Sequence, residues 1–396
     1  IWEERMHPAL RKRATAIVAA ATALVMLAPA MAVSAGSHRH DQPRTVAAVE
    51  FLGDVTIPTG TIFADTEIGG LSSITYDAAR DVYYALSDDQ GTISPVRYYT
   101  AEIDLSDGWL DAGDIGFVDV VTLFESHKSP YAPRGLDPEG LALASKGQLF
   151  MSSEGNIFAD PILDPFIKRY NLQGRVTAEL PIPDQYIPNG VDHGVRFNLG
   201  FESLNLTPDG RHLVTAGEAA LFQDGPAPTF TNGSLARILV YDVHKRQPKA
   251  EYVYEVGPWA EPSTIFGVNG IVEVLPIDNV GTMLVMERSF SVGGSQGGGT
   301  GNVVSIYEVL NSDATDVLDM DALYEAGSPV SFTPVSKRLL FEFNDLAIPI
   351  DNIEGMTFGP TLPDGRQSLV IVSDNNFSGG QFTQFVLLAL DIEPVS

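Results

Sequence analysis

The chain carries 51 acidic against 24 basic residues in 396, a formal charge of −27, and it has no cysteine. That excess of carboxylates is a poor match for nucleic acid or for an anionic membrane surface. The missing cysteines exclude disulfides and thiolate chemistry, so the fold must rest on a large core or on metal.

Ile1 to Arg5 precede Met6 and read as upstream frame. Arg11-Lys12-Arg13 then leads into the uncharged run Ala14 to Leu27, followed by small-residue sites at Ala30-Met31-Ala32 and Val33-Ser34-Ala35. This is the tripartite pattern of a secretory signal over residues 1–35, and it predicts a secreted or extracytoplasmic protein. An uncleaved anchor over Ala14 to Val33 is the alternative. Cleavage would leave 20 basic and 49 acidic side chains on residues 36–396, which are expected to form a single domain without stable membrane insertion.

"TVAAVEFLGDVTIP" (Thr45 to Pro58) is the first predicted strand. Five related segments follow. They are "GGLSSITYDAARDVYYALSDD" (Gly69 to Asp89), "DPEGLALASKGQLFMSSEG" (Asp137 to Gly155), "GFESLNLTPDGRHLVTAGE" (Gly200 to Glu218), "GVNGIVEVLPIDNVGTMLVMERS" (Gly267 to Ser289) and "DNIEGMTFGPTLPDGRQSLVIVSDNN" (Asp351 to Asn376). Each opens on Glu-Gly or a stand-in (Ser72-Ser73, Glu202-Ser203, Asn269-Gly270), turns, and returns through a β-prone run to a polar or acidic end. In the third, Leu204-Asn205-Leu206 leads to the turn Pro208-Asp209-Gly210 and back through Leu213-Val214-Thr215, a hairpin pattern. Further strand-like runs lie between the hairpins, so each repeat holds the three or four antiparallel strands of a propeller blade.

The expected fold is therefore an all-β, β-propeller-like domain with five visible hairpin repeats. The starts at 72, 139, 202, 269 and 354 leave a last interval long enough for a sixth blade. The strand at Thr45 to Pro58 is placed to pair with the last blade and close the ring. A sandwich or two unrelated β-domains is the alternative.

In an antiparallel hairpin the start of the first strand lies beside the end of the second. Glu139 should then meet Glu154, Glu202 should meet Glu218, and Glu354 should meet Asp374, while Asp88, Asp89 and Glu287 occupy the returns of the other two units. If the first strands line the axis, these residues form a ring of carboxylates at one mouth of the channel. Such a ring needs either a hard cation with oxygen ligands, Ca²⁺ being the natural candidate, or retained protons that serve acid/base work. Hydrogen bonding to the neighbouring blade is the purely structural alternative.

The expected metal ligands are Asp88, Asp89, Glu154, Glu218, Glu287 and Asp374, and the catalytic candidates are Glu139, Glu202, Glu354 and His193. His193 is the one histidine beside a repeat start. Arg196, Arg288 and Asn375 are the substrate-binding candidates, since an arginine near a metal suits a phosphate ester. Gly293-Gly294-Ser295-Gln296-Gly297 matches G-x-S-x-G but sits in a glycine loop, not on a strand-to-helix elbow. That loop also lacks the Lys-Ser/Thr ending of a P-loop, and no paired-histidine or zinc spacing occurs.

At "DPEGLAL…SSEG", "NLGFESLNLTPDGR" and "NIEGMTFGP…SLVIVSDNNF" the sequence resembles the phytase-like family of exported bacterial proteins, described as having esterase-like activity of phytase. "PFIKRYNLQGRV", "PVSKRLL" and "TQFVLLAL" extend the resemblance over nearly all of residues 36–396. It implies a propeller-like domain acting on phosphate or related esters, with acidic site positions at Glu139, Glu154, Glu202, Glu218, Glu354 and Asp374. Glu202-Ser203, in place of Glu-Gly, and the degenerate unit at Asn269 depart from the common form.

The leading expectation is a secreted, metal-dependent ester hydrolase, a phosphoesterase by preference, taking a small-molecule ester. A non-catalytic, Ca²⁺-braced propeller binding a glycan, peptide or cell-envelope partner is the alternative, with aromatic residues instead of arginines at its mouth. A lactonase-like or quinone-cofactor enzyme is permitted by the architecture alone.

Overall fold

The structure, a computed structural model, describes residues 41–126 and 129–395. The signal-like segment lies outside them. Five four-stranded antiparallel sheets make up five blades. Blade I comprises Leu71–Asp77, Val82–Ser87, Arg97–Ile103 and Ile115–Thr122, and blade II Pro138–Ala144, Gln148–Ser153, Phe166–Asn171 and Val176–Leu180. Blade III comprises Asn205–Leu206, His212–Ala216, Ser234–Asp242 and Gln247–Val256, and blade IV Gly267–Pro276, Thr282–Ser291, Asn302–Leu310 and Ser336–Glu342. Blade V takes Asn352–Thr361, Gln367–Asp374 and Phe382–Pro394, and its fourth strand is Arg44–Pro58 from the other end of the chain.

The first strand of each blade packs against the first strands of its two neighbours, in a closed cycle around the axis. Closure depends on Arg44–Pro58, which pairs antiparallel with Phe382–Pro394 from Arg44 opposite Pro394 to Pro58 opposite Phe382. Ring closure by the N-terminal strand is thus as expected. The interval with room for a sixth blade holds none among the described residues. Its segment folds instead onto the outer strand of blade III, with Val317 and Leu323 packed on Val253 and the Val317 and Val335 amides donating to Glu251 and Val253 carbonyls.

Each sheet is covered on both faces, which is why its middle strands read as apolar runs. Successive side chains on a strand alternate between faces. On Gln148–Ser153, Leu149 and Met151 join Tyr84, Leu86 and Tyr98 of blade I, whereas Phe150 joins Leu204, Leu213 and Leu239 of blade III. Three further apolar clusters fill the III/IV, IV/V and V/I interfaces in the same way. No helix among the described residues is long and apolar enough to cross a membrane.

The glycine of the Glu-Gly repeat is explained by how closely these inner strands approach. A Cβ on Gly140 would lie 2.6 Å from Leu204 Cβ, and one on Gly355 would lie 2.9 Å from Ser73 Cα. Hydroxyls fasten the seam between blades I and II: the Leu141 amide donates to Ser73 Oγ at 3.0 Å, and Ser72 Oγ donates to the Glu139 carbonyl at 2.9 Å. Gly140→Ala is expected to cost about 1–3 kcal/mol through overpacking. Gly116→Ala, on an outer strand with no atom within 4 Å of the new Cβ, should be near neutral. Urea unfolding of the two variants measures the difference.

Candidate functional site

Three of the inner strands begin with a break in register, between Leu71 and Ser73, between Pro138 and Leu141, and between Ile353 and Gly355. A bulge of this kind turns one side chain out of the alternating pattern, and here the residues at the break include Glu139 and Glu354. In blade III, Phe201 bridges to Gly217 and regular pairing resumes only at Asn205, which leaves Glu202 in the equivalent gap. The returning strands lead directly to Asp88, Glu154 and Glu218, one or two residues past their ends, and to Asp374 at the end of the last. The hairpins therefore do bring first-strand and second-strand acids to one place.

That place is a cavity of about 1230 Å³ at the mouth of the ring, lined by Asp88, Asp137, Glu139, Glu202, Glu218, Glu354 and Asp374. Blade IV contributes a cation instead. Arg288, on the strand Thr282–Ser291, forms an ion pair with Glu354 Oε1 at 2.5 Å, hydrogen-bonds Asn352, and lies 3.6 Å from Glu218 Oε1. Its position opposite Gly270 matters, because a Cβ there would fall 2.1 Å from Glu218 Cγ. The degenerate Asn269-Gly270 unit thus makes room for an acid of the preceding blade. Asn269 itself donates to the Gly257 carbonyl and to Glu287.

Burial, compounded by mutual repulsion, raises the pKa of these acids. Glu139 is pushed well above the carboxylate range by burial and then by Asp137, Asp88, Glu154 and Glu354. Glu202 is raised by burial, Glu154 and Glu139, and Asp88 by burial, Asp374 and Glu354. Glu218 and Glu354 are each pushed up to about 8 by burial despite Arg288, Asp137 to about 7 and Asp374 to about 6.

Two sets, Asp137 with Glu139 and Glu154, and Glu154 with Glu202 and Glu218, each present one carboxylate oxygen per residue within 4.8 Å of the others. Glu218 Oε1 is buried without a hydrogen-bond partner, as is Arg288 Nε. An orphaned carboxylate oxygen within an all-oxygen donor set suits a hard divalent cation.

Several expected residues lie elsewhere. Asp89 is turned inward, accepting from the Thr92, Ile93 and Ser94 amides and from Arg97 Nη1 at 2.8 Å, so its oxygens are taken. Glu287 accepts from Tyr254, Lys337, Gly257 and Asn269, and braces blade IV against blade III. Asn375 ties Gly70, Phe377 and Thr59 together. Each of these three is the neighbour of a residue that faces the cavity (Asp88, Arg288, Asp374), and alternation sends it the other way.

His193 is also outside the cavity, with Nδ1 3.1 Å from the Ile187 carbonyl and Nε2 3.2 Å from Asp321. Arg196 donates to the Ala220 and Gly225 carbonyls and covers the Phe222 ring, bracing a blade III loop. Ser295 of the glycine loop donates to Glu261 Oε1.

Asp137 and Asn352 were missed, although each stands two residues before a repeat glutamate. Asn352 Nδ2 holds Glu354 at 2.9 Å and Asp374 at 3.1 Å, and Gln90 holds Asp137 at 2.7 Å. An apolar wall including Phe197, Trp259, Phe266 and Phe290 was missed as well. Half of it, Trp259 and Phe266, comes from the connector before blade IV, where sequence offers no period to place side chains.

The model of the phytase-like family, described as esterase-like activity of phytase, matches residues 66–377. The chain belongs to this family. The stretch matched spans all five inner hairpins of this phytase-like protein, cavity acids included. Among individual proteins it is 26% identical over 191 residues to an "Uncharacterized secreted protein" of Arthroderma benhamiae, covering 40% of this chain and 35% of that one. The chain therefore spans only about a third of the length of that relative. Among solved structures it is similar to an endo-arabinase from Bacteroides thetaiotaomicron, at 12% identity and a TM-score of 0.42, over 88% of this chain and 98% of that one.

The raised pKa values set a pH trend for the metal-free protein. A carboxyl with a higher pKa folded than unfolded keeps a proton that unfolding releases, so stability is lost as pH rises from the ordinary range near 4 through about 8. The melting temperature with chelator is expected to fall steadily between about pH 6 and 8.5, and saturating Ca²⁺ should flatten that slope. Scanning calorimetry at several pH values checks both.

Proposed function

We propose that the protein is a secreted, metal-assisted ester hydrolase that favours phosphoric esters, with its chemistry at the acidic cavity. The observation that carries this reading is the buried Glu154, Glu202 and Glu218 set with its orphaned Glu218 oxygen beside Arg288. The family description, the signal-like leader and the word "secreted" in the fungal relative's name support ester chemistry and export.

Glu154, Glu202 and Glu218 would hold the cation, Ca²⁺ by preference for an all-oxygen site. When bound, it supplies Lewis acidity at the phosphoryl oxygen and a more acidic water. Arg288, whose buried Nε lacks an acceptor, holds the anionic oxygens of the ester and of the released phosphate. Glu354, kept in place by Arg288 and Asn352 and basic with a pKa of about 8, takes the proton of the attacking water. Glu139, which shares a buried corner with Asp137 and has no cation of its own in contact, keeps its proton and gives it to the departing oxygen. The water oxygen joins phosphorus, the ester P–O bond breaks, and alcohol and phosphate leave.

Glu139→Gln and Glu354→Gln are each expected to lower kcat by about 100-fold or more with folding intact, and chelator should abolish turnover. His193→Ala should stay within about twofold. Release of phosphate or alcohol from an ester panel with Ca²⁺, Mg²⁺ or Mn²⁺ supplied is the test. A folded protein inactive on every ester and metal would overturn the reading. The aromatic side chains at the mouth favour a second one, a Ca²⁺-braced binding propeller, which predicts a chelator-sensitive melting temperature without hydrolysis.

A further inference from the structure

The walls of the cavity are not alike. Blades I, II, III and V face it with carboxylates, whereas the connector between blades III and IV and the first two strands of blade IV face it with Trp259, Ile265, Phe266, Val268 and Phe290. The apolar side is preformed. Trp259 is pressed against Gly267, where a Cβ would lie 2.4 Å from the indole, and Phe266 packs on Phe290 with ring centroids 6.5 Å apart. It is also uncovered: Ile265 is 78% and Phe266 54% exposed, although both line the cavity.

We infer that this wall is a subsite for an aryl or alkyl group, so that the substrate is an ester with one anionic head and one apolar end, not a multiply phosphorylated polyol. This rests on the ester-hydrolase reading for the head alone. Arg288 is the one cationic side chain lining the cavity among the described residues, and it is already shared by Glu354 and Glu218. A polyanion would put its remaining phosphates among carboxylates, against the aromatic wall or on neutral donors such as Asn198, Thr300 and Gln381, with no second cation to neutralise them. A single phosphoryl group at the acidic floor leaves the wall for an apolar surface. A sugar would find ring faces there, but the one side-chain donor among Trp259, Ile265, Phe266, Val268 and Phe290, the Trp259 indole nitrogen, is buried away from its hydroxyls.

Two sets of probes separate the wall from the head. In the full chain with Ca²⁺ supplied, phenylphosphonate is expected to bind at least about tenfold more tightly than methylphosphonate by calorimetry. Phe266→Ala and Ile265→Ser, at exposed positions and with folding checked by circular dichroism, should shrink that ratio to about threefold or less and leave methylphosphonate unchanged. 2-Naphthol, which has no anionic head, should quench protein fluorescence without metal and bind about tenfold more weakly to the same variants.

Equal binding of the two phosphonates, naphthol binding that ignores both substitutions, or tightest binding by inositol hexakisphosphate irrespective of the wall would each overturn the inference. So would maltohexaose binding more tightly than naphthol and losing affinity in Phe266→Ala, which would assign the wall to a glycan. Wall-dependent naphthol binding, with neither phosphonate bound under any metal, would keep the apolar subsite and remove the ester-hydrolase reading beneath it.

Discussion

Carboxylates crowded into one buried space repel one another and lose hydration, and the centre of this propeller is organised around that cost. Arg288 offsets part of it by reaching Glu354, Glu218 and Asn352 from the one blade that sends no acid into the cavity. Protons offset more, since Glu139, Glu202 and Asp88 are held well above the ordinary carboxylate range by burial first and by their acidic neighbours second. The Glu218 oxygen, which meets Arg288 only at 3.6 Å and accepts no hydrogen bond, marks where compensation is incomplete, and where a cation has most to gain.

An arrangement this unfavourable persists only if the frame does not yield. The frame is stiff because each sheet is buried on both faces and each interface between blades has its own apolar cluster, as Leu149 and Phe150 illustrate by facing opposite neighbours. Closure by Arg44–Pro58 leaves blade V no unpaired outer edge at Phe382–Pro394 and ties the two ends of the described chain. Glycines at 140, 270 and 355 let the inner strands and Glu218 approach to distances that any side chain would prevent.

The cavity has two chemical characters because two kinds of segment build it. Repeat hairpins place acids by symmetry, so similar residues recur around the axis. The connector before blade IV belongs to no repeat, and it is the one that carries Trp259, Ile265 and Phe266 to the mouth. Shared blade architecture thus supplies the charged floor, while a segment outside the repeat differentiates one side of it, consistent with function being grafted onto a common fold.

The sequence by itself determined the propeller, the five hairpins, the closing strand and the meeting of Glu139, Glu202 and Glu354 with Glu154, Glu218 and Asp374, because hairpin geometry forces the two ends of each repeat together. It also implied Asp88 and Arg288 as neighbours of that set. Only the tertiary structure decided which member of Asp88-Asp89, Glu287-Arg288 and Asp374-Asn375 faces inward, because a one-residue step reverses the face and a bulge shifts the count. Likewise, the removal of His193 and Arg196 from the cavity and the arrival of the Trp259 wall depended on loop paths, which follow contacts between blades and carry no periodic signal along the chain.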